Sequence, residues 1–318
     1  MADVSMTAHS RAWLQIHACV VLWGFTAILG RLITLRALPL VWWRMLLVTV
    51  ALAAWPPFWA GLRRMPARLV AIYLGIGALV TLHWVTFYGS IKLSNASVAA
   101  TCMALTPVFV SILEPSLARR RPHLAEVGLG LAVLPGVALV VGGTPAGMRD
   151  GILVGAFSSF VAALFSTLNK RTIGTSPALT VTGLEMAAGA VVLPAVGWFL
   201  PSESIVVRPD LHDGLLLFTL SMACTLLPYA LALVALRHLS AFDTTLAVNM
   251  EPVYSIVLAV LLLNEQRDLE LGFYAGVALI MAIVFSHPWI SRRWGRRAVG
   301  RGGSSDPPAG AGEHATAV

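Results

Sequence analysis

The chain has 318 residues, 58% of them hydrophobic and 12% charged, with a formal net charge of +7 and a mean hydropathy of +0.80. Soluble domains are about 45–50% apolar, so this is the composition of a polytopic membrane protein, and its short connections leave no room for a soluble catalytic or nucleic-acid-binding domain. Cys19, Cys102 and Cys224 all fall within apolar segments, which offers neither a disulfide framework nor a zinc motif and implies no cofactor.

Residues 1–10 carry no apolar period and read as a disordered tail. Ten apolar segments follow, at about 13–35, 39–60, 68–90, 95–116, 124–142, 151–170, 178–200, 213–236, 241–264 and 269–290. The first lacks a small-residue cleavage site and is too long for a signal h-region, so it is expected to stay as an uncleaved helix. Residues 291–318 are basic and rich in Gly, Pro and Ala, a second disordered tail whose arginines can touch anionic lipid.

With both termini in the cytoplasm, fifteen Lys and Arg lie inside and six outside, and Arg44 lies within a span. The positive-inside bias favours that orientation and an even number of crossings.

The segment from Ser240 to Glu265, SAFDTTLAVNMEPVYSIVLAVLLLNE, is long enough to cross a membrane yet places Asn249, Glu251 and Pro252 at its middle. A carboxylate at the bilayer centre costs roughly 2.5–3.5 kcal/mol or more, and Pro252 frees a carbonyl that lipid cannot satisfy. Such a cost marks an ion or substrate path.

The chain also repeats itself. LSNASVAATCMALTPVFVSIL (93–113) aligns with HLSAFDTTLAVNMEPVYSIVL (238–258) at an offset of 145, matching Pro107 with Pro252, Lys92 with Arg237 and Asn95 with Ser240. Asn95 and Ser240 read as helix N-caps, and Asp243, three residues after Ser240, as an N-terminal stabiliser. The flanking spans set Arg31 opposite Lys170 and Arg44 opposite Glu185. Each half, 11–142 and 151–290, holds five crossings and is joined to the other by a linker at 143–150. An odd number per half inverts the second unit and puts a site between the repeats, near the midplane. The expected fold class is therefore an all-α integral membrane protein of ten transmembrane helices in two inverted five-helix repeats.

WGF at 23–25, Arg44 early in the second span, HWVTFYGSIKLSNASVAA, TPVFVSILEP and NMEPVYSIVLAVLLLNE, in order and doubled, resemble the EamA-type members of the drug/metabolite transporter superfamily. Pro252 is followed thirteen residues later by Glu265, as in that family, whereas the corresponding residue after Pro107 is Arg120, with Glu114 earlier. The resemblance implies a ten-helix inner-membrane carrier with cytoplasmic termini, often an exporter of amino acids or other small metabolites.

Candidate substrate-binding residues are Arg44, His83, Trp84, Asn169, Glu185, Tyr229, Asn249 and Glu251. Arg44 either snorkels outward past Trp42 and Trp43 or points inward to clamp an anionic group or neutralise Glu251. Glu251 either exchanges a proton during transport or is an architectural acid bonded to a neighbouring helix. Inversion sets Arg44 and Glu185 at opposite depths, about 12 Å apart along the normal, so they should not touch. Glu185 then needs its own partner: a proton, a polar neighbour or the cation of a zwitterionic substrate. Glu114, near the end of its span, suits an interfacial salt bridge.

His83, Thr86, Phe87 and Ser90 form one helical stripe, and Ser159, Ala162, Ser166 and Asn169 another. Each lines a cavity or glues helices together. Pro228 and Tyr229 suggest a bend facing the cavity, and Gly272 with Gly276 a packing motif, within one chain or between the protomers of a homodimer.

No H-E-x-x-H, no G-x-S-x-G and no intramembrane Asp pair is present, which argues against an intramembrane enzyme. The like-charged rings of a channel are missing as well. The expected partners are a small-molecule substrate, protons and the lipid bilayer.

Overall fold

The computed structural model describes residues 8–117, 124–172, 176–199, 204–235, 239 and 247–301, all in helices and their connections with no strand. The helices are α1 (Ala8–Leu32), α2 (Ala37–Ala53), α3 (Pro56–Arg63), α4 (Ala67–Leu93), α5 (Ala96–Met103), α6 (Thr106–Leu117), α7 (Leu124–Gly142), α8 (Arg149–Thr172), α9 (Ala178–Gly197), α10 (Leu211–Ser221), α11 (Leu227–Ala235), α12 (Glu251–Leu263) and α13 (Leu271–Arg301). Among the described residues, six helical runs can cross a membrane by length and composition, up to seven if α2 and α3 form one bent span, with shorter apolar runs at Leu131–Gly142, Glu251–Leu263 and Leu271–Ser286.

Four expected spans differ in their course, and proline chemistry accounts for three. The segment 39–60 breaks into α2 and α3 with an 86° bend, because the residue before Pro56 is driven out of the helical region while Pro56 starts the next helix well. The segment 95–116 divides into α5 and α6 just before Pro107, whose missing N–H cannot continue the ladder. Within 213–236, a π segment at Met222–Leu226 separates α10 from α11 just ahead of Pro228. The fourth concerns Pro252, which does not bend a helix at mid-span: α12 begins at Glu251, with Pro252 in its first turn, where no N–H is missed. Ser240 and Asp243 lie outside the described residues. At the C-terminus the helix runs on to Arg301, past the expected boundary at 290.

α4 packs along α8 and α9, α2 along α9, α1 along α11 and α12, and α7 along α13. The last contact uses small residues. A Cβ on Gly276 would meet the Gly136 carbonyl at 2.6 Å, and one on Gly136 would meet Ile280 at 2.7 Å. The glycine pair of α13 therefore packs α7 within one chain.

Buried carboxylates hold the connections. Asn95 caps α5 as expected, its side chain accepting from Val98 N. Glu265 adds a second cap, accepting from Ala96 N at 3.0 Å and Ser97 N at 2.8 Å. Asp213 accepts from Thr34 N, the Thr34 hydroxyl and Leu35 N at 2.7–3.1 Å, tying the α1–α2 turn to α10. Asp213→Ala strands the Thr34 and Leu35 N–H groups. It is expected to destabilise the fold by about 2–4 kcal/mol, read as a lower unfolding midpoint of the purified protein in detergent, with Asp213→Asn milder.

Candidate functional site

Where α1, α2, α4, α5, α8, α11 and α12 converge they leave a cavity of about 330 Å³, near the lower end of the ~300–1,000 Å³ range of small-molecule sites. Its lining is Trp23, Thr26, Arg44, His83, Trp84, Phe87, Met103, Phe165, Ser166, Tyr229, Val248 and Glu251. The walls are largely aromatic, and the two ionisable extremes are one guanidinium and one carboxylate.

Arg44 does not snorkel. It is 4% exposed, its guanidinium carbon lying 3.7 Å from the Trp84 ring centroid. Nη1 donates to the Tyr88 hydroxyl at 2.6 Å and Nε to the Thr225 hydroxyl at 2.9 Å. The π segment makes the last contact available, since the Thr225 hydroxyl also donates to the Leu220 carbonyl, five residues back. One wide helical turn thus turns a hydroxyl toward the cation, the kind of use to which π-bulges are often put. The bend expected at Pro228 and Tyr229 is present in this form, and Tyr229 stands edge-on to Trp23 in the lining.

Glu251 enters from the first turn of α12. It forms no direct ion pair with Arg44, although the two share the cavity. α12 reaches this position because α1 offers no side chain at Gly24, where a Cβ would stand 3.3 Å from Ser255 N and from the Tyr254 Cβ. Gly24 of the WGF stretch thus admits α12, and Trp23 beside it faces the cavity.

His83 is both structural and lining. Its Nδ1 meets the Ser158 hydroxyl at 2.9 Å and the Ser158 carbonyl at 3.1 Å, while the ring lies 5.5 Å from Phe165 and 6.1 Å from Phe87. The two polar stripes divide. Thr86 donates back to its own helix, Ser90 to the Gly151 carbonyl, and Ser159 pairs with Thr106. His83, Phe87 and Ser166 remain in the lining.

Three expected site residues stand outside the lining. Asn249 sits in the turn before α12. Asn169 and Glu185 lie on α8 and α9, and Asn169 Oδ1 and Glu185 Oε1 are both buried without a hydrogen-bond partner. Glu114 forms its salt bridge with Lys170 at 2.9 Å, in an exposed setting. Sequence reasoning missed Tyr88, Thr225 and Ser158, the residues that hold Arg44 and His83. For Tyr88 a signal existed: it lies four residues after Trp84, on the same helical face.

Among the described residues one group of metal-type side chains comes together, Asp210, His212 and Asp213. Asp210 caps α10 and Asp213 clamps the α1–α2 turn, so both carboxylates already serve the loop.

The profile of the EamA-like transporter family matches residues 11–142 and 149–287. The chain belongs to the EamA-like transporter family. It is 26% identical over 307 residues, spanning 92% of this chain and all of the relative, to a Salmonella typhimurium strain LT2 protein described as the uncharacterized inner membrane transporter YicL. A solved structure titled only "Crystal structure of protein" shares the fold at a TM-score of 0.57 and 19% identity, over 91% of this chain and 99% of that one. This EamA-like protein is thus a multi-pass membrane transporter whose central cavity is bounded by Arg44 and Glu251.

Proposed function

We propose that this transporter exports a small zwitterionic metabolite, such as an amino acid or related compound, from the cytoplasm by alternating access. The observation that carries the reading is one cavity with a fixed guanidinium, a carboxylate not paired to it and aromatic walls between them. Arg44 receives the cargo carboxylate. Glu251 receives its ammonium group and, when the cavity is empty of cargo, a proton. Trp84, Tyr229, Phe87 and Phe165 enclose the apolar part, and His83, held by Ser158, presents its remaining ring nitrogen. A proton leaving Glu251 as cargo enters makes export an exchange.

The architecture belonging to this reading is ten crossings in two inverted five-helix repeats, 11–142 and 151–290, with both termini cytoplasmic in a bacterial inner membrane. Support comes from the family match falling in two stretches, from the relative described as an inner membrane transporter, and from up to seven spans plus three shorter apolar runs making ten. Lys170, Glu114 and Arg171 meet at one end of α6 and α8, in keeping with a positively charged cytoplasmic face. Gly276 is spent against α7, so a homodimer would use another face.

Counterflow in proteoliposomes preloaded with unlabelled amino acids tests the proposal. Labelled cargo of one class is expected to enter against its gradient, and Glu251→Gln to reduce that flux at least ~10-fold, as loss of a charge-assisted contact implies. Equal flux through the variant would remove Glu251 from the site.

A further inference from the structure

The corner between α2 and α3 lies away from the cargo cavity and has an architecture of its own. α2 packs along α9 as a span, so α3, set at 86° to it, runs close to the plane of the membrane surface. One face of α3 is taken by protein. Phe58 is buried where Gly183 of α9 offers no side chain, and Gly61 leaves its Cβ position to the Thr180 side chain. The opposite face carries Pro56, Trp59, Ala60 and Arg63 at helical spacing, and all four are exposed. Together with Ala53 and Ala54 they line a notch of about 380 Å³. The Trp59 indole N–H donates to the Ala53 carbonyl at 2.7 Å, which holds the ring across the corner.

The charge around this notch is of one sign. Arg63, Arg64 and Arg68 are exposed, and the sequence has no acid between Asp3 and Glu114. α3 packs on α2 and α9; α2 has no acid, and α9 has only Glu185, which is buried. Among the described residues no acidic side chain pairs with any of the three arginines. The start of α9 follows soon after the end of α8, so the arginines stand at the end of the molecule that bears Lys170 and Arg171.

We propose that the α2–α3 corner is a binding site for one anionic phospholipid, its phosphate on Arg63 and an acyl chain in the notch beside Trp59. A guanidinium takes a phosphate through two parallel N–H donors. A tryptophan ring suits the boundary between headgroups and hydrocarbon, and a surface helix with Trp and Arg on its open face lies at that boundary. Arg64 and Arg68 supply the further positive charge that separates an anionic from a zwitterionic headgroup. A soluble anion would meet the arginines alone and leave the apolar floor of Ala53, Ala54, Pro56 and Ala60 to water; a phospholipid uses both parts. The site stands independently of the cargo and of its direction of transport.

Thermal unfolding of the purified full-length protein in detergent tests the site, with phosphatidylglycerol or phosphatidylcholine of the same acyl chains added. Phosphatidylglycerol is expected to raise the wild-type midpoint at concentrations at least ~10-fold below those phosphatidylcholine needs. Changing Arg63, Arg64 and Arg68 together to Gln alters only exposed side chains and should abolish that preference, whereas changing Arg296, Arg297 and Arg301 of the C-terminal tail to Gln should leave it. The proposal is overturned if the α3–α4 triple variant keeps the preference, if the tail variant loses it equally, or if inorganic phosphate at the same concentration reproduces the stabilisation. Native mass spectrometry of Arg63→Glu, a single exposed change, gives a second reading that does not depend on the triple variant folding. The wild type is expected to retain one phosphatidylglycerol and the variant none, and retention by the variant overturns the site.

Discussion

Arg44→Lys is expected to yield a folded protein that has lost most of its transport. The lysine keeps the charge and much of the stem, but it lacks the planar fork that lies on Trp84 while one arm meets Tyr88 and Nε meets Thr225. Two of the five guanidinium donors are spent on those hydroxyls, which aims the others at the cavity. Cargo that presents a carboxylate should lose about one bidentate contact, a fall of at least ~10-fold in counterflow, and Arg44→Ala should lose ~100-fold or more. Thr225→Val, which removes only a positioning hydroxyl, should fall between wild type and lysine. The variants are to be compared at equal reconstitution, with unfolding midpoints showing that each is folded. Wild-type counterflow by a folded Arg44→Lys would mean that the guanidinium is architectural.

The largest loss of stability is expected at Glu265. This carboxylate is 2% exposed and accepts from two consecutive backbone N–H groups at the start of α5, joining the end of α12 to the first half of the chain. α5 packs in turn against α8 and α12, so its N-terminus is not an end that water can satisfy. Glu265→Ala strands both donors and removes a negative charge from a helix N-terminus, a loss of about 3–5 kcal/mol. Glu265→Gln keeps one acceptor oxygen and should lose about half as much. The check is the unfolding midpoint of the full-length protein in detergent, and a midpoint for Glu265→Ala within error of wild type would refute this account. The interval from Pro252 to Glu265 then has a physical meaning: it spans α12 from its first turn to the residue that clamps the neighbouring helix.

Residues that are expensive by themselves are legible in the sequence. Arg44 and Glu251 stand out because a charge in an apolar run has a cost that does not depend on its neighbours, and the cavity brings both together. Asn95 is legible as an N-cap for a related reason, since capping is a contact within three residues. The polar stripes are less legible. Ser90 and Ser159 share a helical face with cavity residues, yet they turn to Gly151 and Thr106. A stripe says which side of a helix is polar, not which neighbour that side meets. Tyr88 and Thr225, the two hydroxyls on Arg44, are 44 and 181 residues from it along the chain.

Sequence alone determined that the chain lives in a membrane, which family it belongs to and which side chains lipid would not tolerate unaided. Hydropathy is a sum of transfer costs, one per residue, and a sum survives without knowledge of the fold. Tertiary structure alone decided that Arg44 and Glu251 share a cavity without pairing, that Pro252 opens a helix instead of bending one, and that Thr225 reaches Arg44. Each of these is a relation between helices, and in lipid such relations are set by close packing and mutual hydrogen bonding, which exist only once the helices have met.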